Sequence, residues 1–130
     1  MPSCLRLNLM PVVLIVDDDL FILELAEMLI QEFGYETLSA SDVDEAAALL
    51  RSSQRVDALF TDINLKNAVL GGCELASTAV GLRPDLRVLY ATGNIITDKM
   101  RSLFVDGALL LTKPYTQSQL QTSLEDLIRA

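Results

Sequence analysis

The chain has 130 residues, 51% hydrophobic and 22% charged, which is the size and composition of one ordinary domain with its own core and too little for two. Ten Lys and Arg against 18 Asp and Glu leave a net charge of −8, which repels phosphate backbones and anionic lipid, so neither nucleic acid nor a membrane surface is an expected partner. The histidine count is 0, which removes Ser-His-Asp and Cys-His nucleophiles, His-bearing zinc sites and a phosphohistidine role, and leaves any chemistry to carboxylates, Lys, Thr and Ser.

Cys4 and Cys73 form no C-x-x-C motif, which excludes a zinc ribbon or redox pair and fits a reduced, cytoplasmic compartment. No apolar run approaches the ~18 residues of a membrane helix, and Met1 to Val16 lacks the basic stretch and clean apolar run of a signal peptide. Leu5, Leu7 and Leu9 alternate with Arg6 and Asn8 before Pro11 interrupts them. Residues 1–11 are therefore read as an N-terminal extension, either frayed or forming an edge or partner-contacting strand, and residues 12–130 as the domain.

Val12 to Val16 is continuously apolar and β-branched and then meets Asp17-Asp18-Asp19, the pattern of a strand buried on both faces. Phe21, Leu25, Met28 and Leu29 recur at i, i+4, i+7, i+8, and Gly34 supplies a stop, so a helix is expected over Leu20 to Phe33 with that stripe inward. A short strand near Thr37 to Ser39 precedes Ser41 and Asp42, candidate caps for an alanine-rich helix through Leu50. Ala58 to Thr61 is the third strand and ends at Asp62. Gly71-Gly72 opens a helix with Cys73, Ala76, Ala79 and Val80 on one face, and Arg83-Pro84 closes it before a strand over Arg87 to Ala91. Thr97 or Asp98 caps a fourth helix with Met100, Leu103 and Phe104 inward and Gly107 beyond it. Leu109 to Leu111 is the fifth strand, and a Thr116-x-x-Gln119 capping box starts a last helix carrying Leu120, Leu124, Leu127 and Ile128. The succession of βα units implies a doubly wound α/β domain.

In such sheets ligands bind beyond the carboxyl ends of the strands, where this sequence places Asp17, Asp18, Asp19, Asp62, Thr92 and Lys113. Two carboxylates ~4 Å apart repel by about 4 kcal/mol at an effective dielectric near 20, so a cation or a proton belongs between them. With oxygen donors alone the fitting ion is Mg2+ or Mn2+, whose vacant coordination positions invite a phosphoryl group.

Val16-Asp17-Asp18, Phe60-Thr61-Asp62, Ala91-Thr92-Gly93 and Lys113-Pro114-Tyr115, in this order on successive strand ends, resemble the receiver domain of two-component response regulators, from about Val12 to Ala130. The resemblance implies a flavodoxin-like (βα)5 fold with a five-stranded parallel sheet in the order 2-1-3-4-5. It makes Asp62 the phospho-acceptor, Asp18 a direct metal ligand, Asp17 a ligand directly or through water, and the Asn64 backbone carbonyl a third protein oxygen. Asp62 also lies within the metal site. Thr92 and Lys113 would bond phosphoryl oxygens, so Asp62, Lys113 and Thr92 carry the transfer, and the Lys113-Pro114 bond suits the cis peptide that aims the family's lysine. The implied partners are a sensor histidine kinase or histidine phosphotransfer protein and a downstream protein target. The implied role is a signalling switch that takes part in its own phosphorylation and dephosphorylation, rather than an enzyme.

Taken singly, each fragment has an ordinary meaning: Asp19 a helix N-cap, Asp17 or Asp18 a cap, Asp62 or Thr92-Gly93 a turn, Lys113-Pro114 a strand end. The family's aromatic residue three positions before the lysine is replaced by Leu110, and Tyr90-Ala91-Thr92-Gly93-Asn94 resembles the Phe-Ala-Thr-Gly stretch of a subgroup lacking that aromatic switch. The loop from Ile63 to Gly72 lacks the familiar Met-Pro and is longer than usual. The chain ends just after its fifth helix, so an output through protein contacts or phosphate flow is expected. Two alternatives remain: a haloacid-dehalogenase-like phosphatase, which wants an acid where Asn64 stands, and a pseudo-receiver that only binds partners.

Overall fold

The alternation of short apolar runs with amphipathic segments resolves into a single parallel sheet flanked by helices. The computed structural model describes residues 10–66 and 68–129. The elements are β1 (Val12–Val16), α1 (Leu20–Glu32), β2 (Glu36–Ala40), α2 (Val43–Arg51), β3 (Ala58–Asp62), α3 (Gly71–Leu82), β4 (Arg87–Thr92), α4 (Asp98–Arg101), β5 (Leu109–Thr112) and α5 (Gln117–Arg129). The five strands lie in the order β2-β1-β3-β4-β5, every neighbouring pair parallel. The strand-like alternation of Leu5, Leu7 and Leu9 lies outside the described residues. Pro11 already joins the sheet, its carbonyl accepting from the Glu36 N–H at 3.0 Å.

The two-residue side-chain period of the strands divides the core. Val13, Ile15, Phe60, Leu89 and Leu111 face one side, where Leu23, Ala26 and Ile30 of α1 and Leu120, Leu124 and Leu127 of α5 cover them. Leu14, Val16, Leu59 and Tyr90 face the other, against Ala46 and Leu50 of α2 and Ala76 and Ala79 of α3. Each Val, Leu or Ile fully withdrawn from water contributes roughly 1.5–3 kcal/mol, so β1, buried along its whole length, anchors both layers.

Two helices differ from the sequence expectation. Most of the stripe on α1 faces outward: Phe21 is 74%, Leu25 42% and Met28 52% exposed, Leu29 alone of the four packs on the core, and Leu23, Ala26 and Ile30 are buried. Apolar residues surround this helix, so spacing alone admits two faces, and the one with Ala26 lets the helix lie close on the sheet. The helix α4 is a single turn capped by the Thr97 hydroxyl. After it the Leu103 and Phe104 N–H groups donate to Met100 and Arg101 carbonyls, three residues back. That tighter winding changes the phase, so Leu103 stands 43% exposed instead of inward while Met100 and Phe104 pack on the core. Phe104 also stacks on Tyr90 at 4.4 Å, and the Tyr90 hydroxyl accepts from the Val105 N–H.

The other ends follow the sequence closely. Asp19 caps α1 and Asp42 caps α2 through their carboxylates, and Thr116 and Gln119 bond each other's backbone N–H groups as a capping box. At Gly72 the start of α3 presses on β3: its N–H donates to the Ile63 carbonyl at 2.8 Å, and a Cβ there would overlap the Asp62 carbonyl oxygen. Gly81, near the end of the same helix, has open space around it. In urea denaturation, Gly72→Ala is expected to lose about 1–3 kcal/mol through forced backbone shifts, and Gly81→Ala to gain about 0.5 kcal/mol by restricting the unfolded chain.

Candidate functional site

The sheet's carboxyl edge collects charged side chains because β3 ends there in Asp62 and β1 and β5 are followed at once by Asp17 and Lys113. Asp17 follows β1 directly and is 7% exposed; its Oδ1 accepts from the Asp19 N–H at 2.9 Å and its Oδ2 from Lys113 Nζ at 3.2 Å. Asp18 turns toward the β3–α3 loop, where its Oδ2 accepts from the Lys66 N–H at 2.7 Å. Asp62, the last residue of β3, accepts from the same Lys113 Nζ at 3.1 Å through its own Oδ2. Asp19 is a helix cap, with Oδ1 accepting from the Phe21 and Ile22 N–H groups.

Lys113 is held at both ends. Its N–H donates to the Thr92 carbonyl at 2.8 Å, extending the β4–β5 ladder by one bond, and its peptide bond to Pro114 is cis. Beyond it Tyr115 meets Phe60 edge-on at 6.2 Å. Thr92 is buried at the end of β4, and its hydroxyl accepts from the Asn94 N–H at 3.1 Å. The Asn64 side-chain carbonyl accepts from the Leu70 N–H at 2.9 Å.

Asp17, Asp18 and Asp62 can each offer one carboxylate oxygen such that all three lie within 4.8 Å of one another, with Lys113 bridging two of the acids. Three ionised carboxylates against one ammonium leave two negative charges, the deficit a divalent cation balances. Burial pushes the Asp62 pKa above its ordinary value; Lys113 opposes that shift, and the Asp17 and Asp18 charges add to it. For Lys113, burial alone would disfavour the ammonium, but Asp17 and Asp62 outweigh it and raise its pKa, so the lysine stays charged. An all-oxygen donor set is the chemistry of a hard divalent ion such as magnesium.

The structure thus brings together Asp17, Asp18, Asp62 and Lys113 and places Thr92 at the adjoining strand end, while Asn64 follows Asp62 by two residues with its amide turned into the loop. Two contributors escaped the sequence reading: the Lys66 backbone N–H on Asp18 and the Asn64 amide on Leu70. A main-chain donor leaves no trace in residue type, and an Asn in a loop reads as a turn residue whichever partner it takes.

The sequence model of the response regulator receiver domain matches residues 13–125. The chain belongs to that family. Among curated proteins, this receiver domain is 30% identical over 121 residues to the transcriptional regulatory protein PrrA of Mycobacterium tuberculosis, a match covering 92% of this chain and 50% of that one. A response regulator receiver protein of Anaeromyxobacter is 31% identical over 102 residues, covering 78% of this chain and 42% of the relative. The chain therefore spans half or less of the length of these relatives. Among solved structures, a receiver protein from Sinorhizobium medicae superposes with a TM-score of 0.86 at 25% identity, covering 95% and 98% of the two chains. The response regulator TrrA of Thermotoga maritima, crystallised in complex with Mg(2+)-BeF, gives a TM-score of 0.77 at 25% identity over 91% and 99%.

Asp62 is ionised at a cost, and this has a measurable sign. Its folded pKa stands above 3.8, so the carboxylate destabilises the receiver domain above that folded value, and the penalty fades as pH falls to 3.8. Asp62→Asn is expected to raise the thermal midpoint at pH 7, with the gain shrinking as pH is lowered toward 3.8. A midpoint below wild type at pH 7 would contradict the electrostatic account.

Proposed function

We propose that this receiver domain accepts a phosphoryl group on Asp62 from a histidine kinase or histidine phosphotransfer protein in a magnesium-dependent reaction, and that phosphorylation changes its binding to a downstream protein in the cytoplasm. The observation that carries the reading is Lys113 Nζ shared between Asp17 and Asp62 within a cluster of three carboxylates. By the likeness to the family, Asp18, Asp62 and the Asn64 carbonyl, with Asp17 directly or through water, are the groups that would hold the metal. When bound, a magnesium or manganese ion supplies positive charge to the oxygens of the transferring group. The TrrA complex with Mg(2+)-BeF supports this assignment by likeness.

Asp62 is the group placed to react. Its side chain is 17% exposed, open to a donor, and Lys113 at 3.1 Å favours its ionised form against the effect of burial. A carboxylate oxygen attacks phosphorus, the bond from phosphorus to the donor nitrogen breaks, and the donor imidazole leaves with the bonding pair. Lys113 can follow the new charge by exchanging its Asp62 contact for a phosphoryl oxygen while retaining Asp17. Thr92 accepts one hydrogen bond through its hydroxyl and still has its own proton to donate, so it can reach a phosphoryl oxygen without releasing Asn94.

The surroundings suit a protein donor. An apolar groove lined by Ile22, Leu25, Leu29, Pro114 and Tyr115 runs up to Lys113, and Leu20 and Phe21, 62% and 74% exposed, stand just beyond Asp19. A donor bringing its phosphoryl group to Asp62 can bury these side chains on arrival. The dehalogenase-like alternative needs an acid at position 64, where the Asn64 amide is instead engaged within the loop.

The direct test is intact mass after incubation with acetyl phosphate and Mg2+. One added phosphoryl group is expected on wild type and none on Asp62→Asn; labelling that survives this substitution overturns the assignment. The switch has its own test. The added charge and oxygens on Asp62 act first on Thr92 and Lys113, and Tyr90, two residues before Thr92, links β4 to Phe104 and Val105. With beryllofluoride and Mg2+, amide shifts are expected from Thr92 through Phe104. Changes confined to the Asp62 loop defeat the mechanism.

A further inference from the structure

We propose that the Asn64 side chain is a positioning residue for the acidic site, holding the β3–α3 loop in the shape that presents the Lys66 N–H to Asp18 and seats the start of α3 against Asp62. This rests on the reading above, in which Asp18 and Asp62 take a divalent cation.

Asn64 Oδ1 reaches across six residues to the Leu70 N–H at 2.9 Å. Leu70 is the described non-glycine residue in the left-handed region, at φ 58 and ψ 19, and its side chain contributes no cap to α3. A branched side chain there costs roughly 1–2 kcal/mol, so something must hold it. Inside that span Leu65 and Ala68 exchange both backbone hydrogen bonds, at 3.2 and 2.8 Å, and the Ala68 carbonyl also accepts from the Gly71 N–H. Those bonds are local and shape only the tip. The base of the loop is closed by two contacts, Asn64 to Leu70 and the Gly72 N–H to the Ile63 carbonyl.

With the Leu65–Ala68 pair and the Asn64–Leu70 bond in place, Lys66 arrives at Asp18 with its N–H 2.7 Å from Oδ2, a contact spanning 48 residues of sequence. That bond orients the Asp18 carboxylate before any cation arrives, so less ordering is left to the binding step. The Leu70 carbonyl is held by the Cys73 and Glu74 N–H groups, at 3.0 and 3.2 Å, but without the Asn64 amide the Leu70 N–H loses its acceptor, the loop side of Leu70 loses its restraint, and the orientation of Asp18 relaxes. Asn64 thereby acts on the metal site through Lys66 as well as through its own main chain.

The experiment is a Mg2+ titration followed by the amide resonances of Lys66 and Gly72, with thermal melts alongside. Asn64→Ala is expected to weaken Mg2+ binding about tenfold or more. Adding Leu70→Gly should recover at least half of that loss on a logarithmic scale, because glycine enters the left-handed region unaided. A merely structural asparagine would lower the melting midpoint and leave Mg2+ affinity alone, so unchanged affinity in folded Asn64→Ala overturns the proposal, as does failure of the second substitution to recover it. Should Asn64→Ala not fold, wild-type hydrogen exchange decides: a protected Leu70 amide that shifts together with Lys66 on adding Mg2+ supports the role, and a Leu70 amide exchanging like an unstructured peptide refutes it. A wild-type chain that takes neither Mg2+ nor a phosphoryl group overturns the functional reading and this proposal with it.

Discussion

The two bonds from Lys113 to Asp17 and Asp62 set the terms for everything around them. The parallel sheet gathers strand ends at one edge, and three acidic side chains there would drive those ends apart unless positive charge stood among them. The lysine supplies one charge and no more, so the cluster keeps a net negative charge that a divalent ion could balance. The raised pKa of Asp62 has the same origin, since burial and its acidic neighbours outweigh what Lys113 returns. The raised pKa of Asp62 and the stability cost of ionising it are thus two consequences of one arrangement.

Positioning the lysine calls on the whole architecture. Its backbone is fixed by Thr92 at the end of β4, Tyr115 is steadied by Phe60 of β3, and its head group reaches Asp17 at the end of β1. These contacts draw on residues nearly a hundred positions apart, and they coincide only because β1 and β3 are adjacent and β4 and β5 extend the sheet in that order. The strand order, rather than any local preference, makes the site.

Much of this was legible beforehand, for physical reasons that differ by element. β1 and β3 announce themselves because strands buried on both faces must be continuously apolar and must then stop, and the polar residue that stops them is the one left at the edge. The caps at Asp19, Asp42 and Thr116 were readable because capping needs particular side chains at fixed offsets. The inward face of α1 was not, since Leu20, Phe21 and Leu25 compete with Leu23, Ala26 and Ile30 and only the sheet decides between them. The winding after α4 was not either, because the three-residue backbone bonds that change the phase of Leu103, and the Tyr90 hydroxyl that meets the Val105 N–H beyond them, leave no mark in the side-chain spacing. Lys66 stayed hidden for a simpler reason: its contribution to Asp18 is a backbone N–H that every residue but proline owns.

The two loops beside Asp62 are built to opposite specifications. On the β3 side, Gly72 lies too close to Asp62 for any side chain, Leu65 and Ala68 are paired, and Asn64 bonds the Leu70 N–H, so Asp62 and Asp18 sit on a braced frame. On the β4 side, α4 is one turn with no buried residue, Ile95 is 89% exposed, and the segment meets the core through the partly buried Ile96, Met100, Phe104 and Val105. A phosphoryl group arriving between them would meet a rigid wall and a yielding one. On the proposed function, displacement would follow the weaker set of contacts, so a phosphoryl group on Asp62 would act through Thr92 toward α4 while the bonds of the β3 loop hold the other side in place.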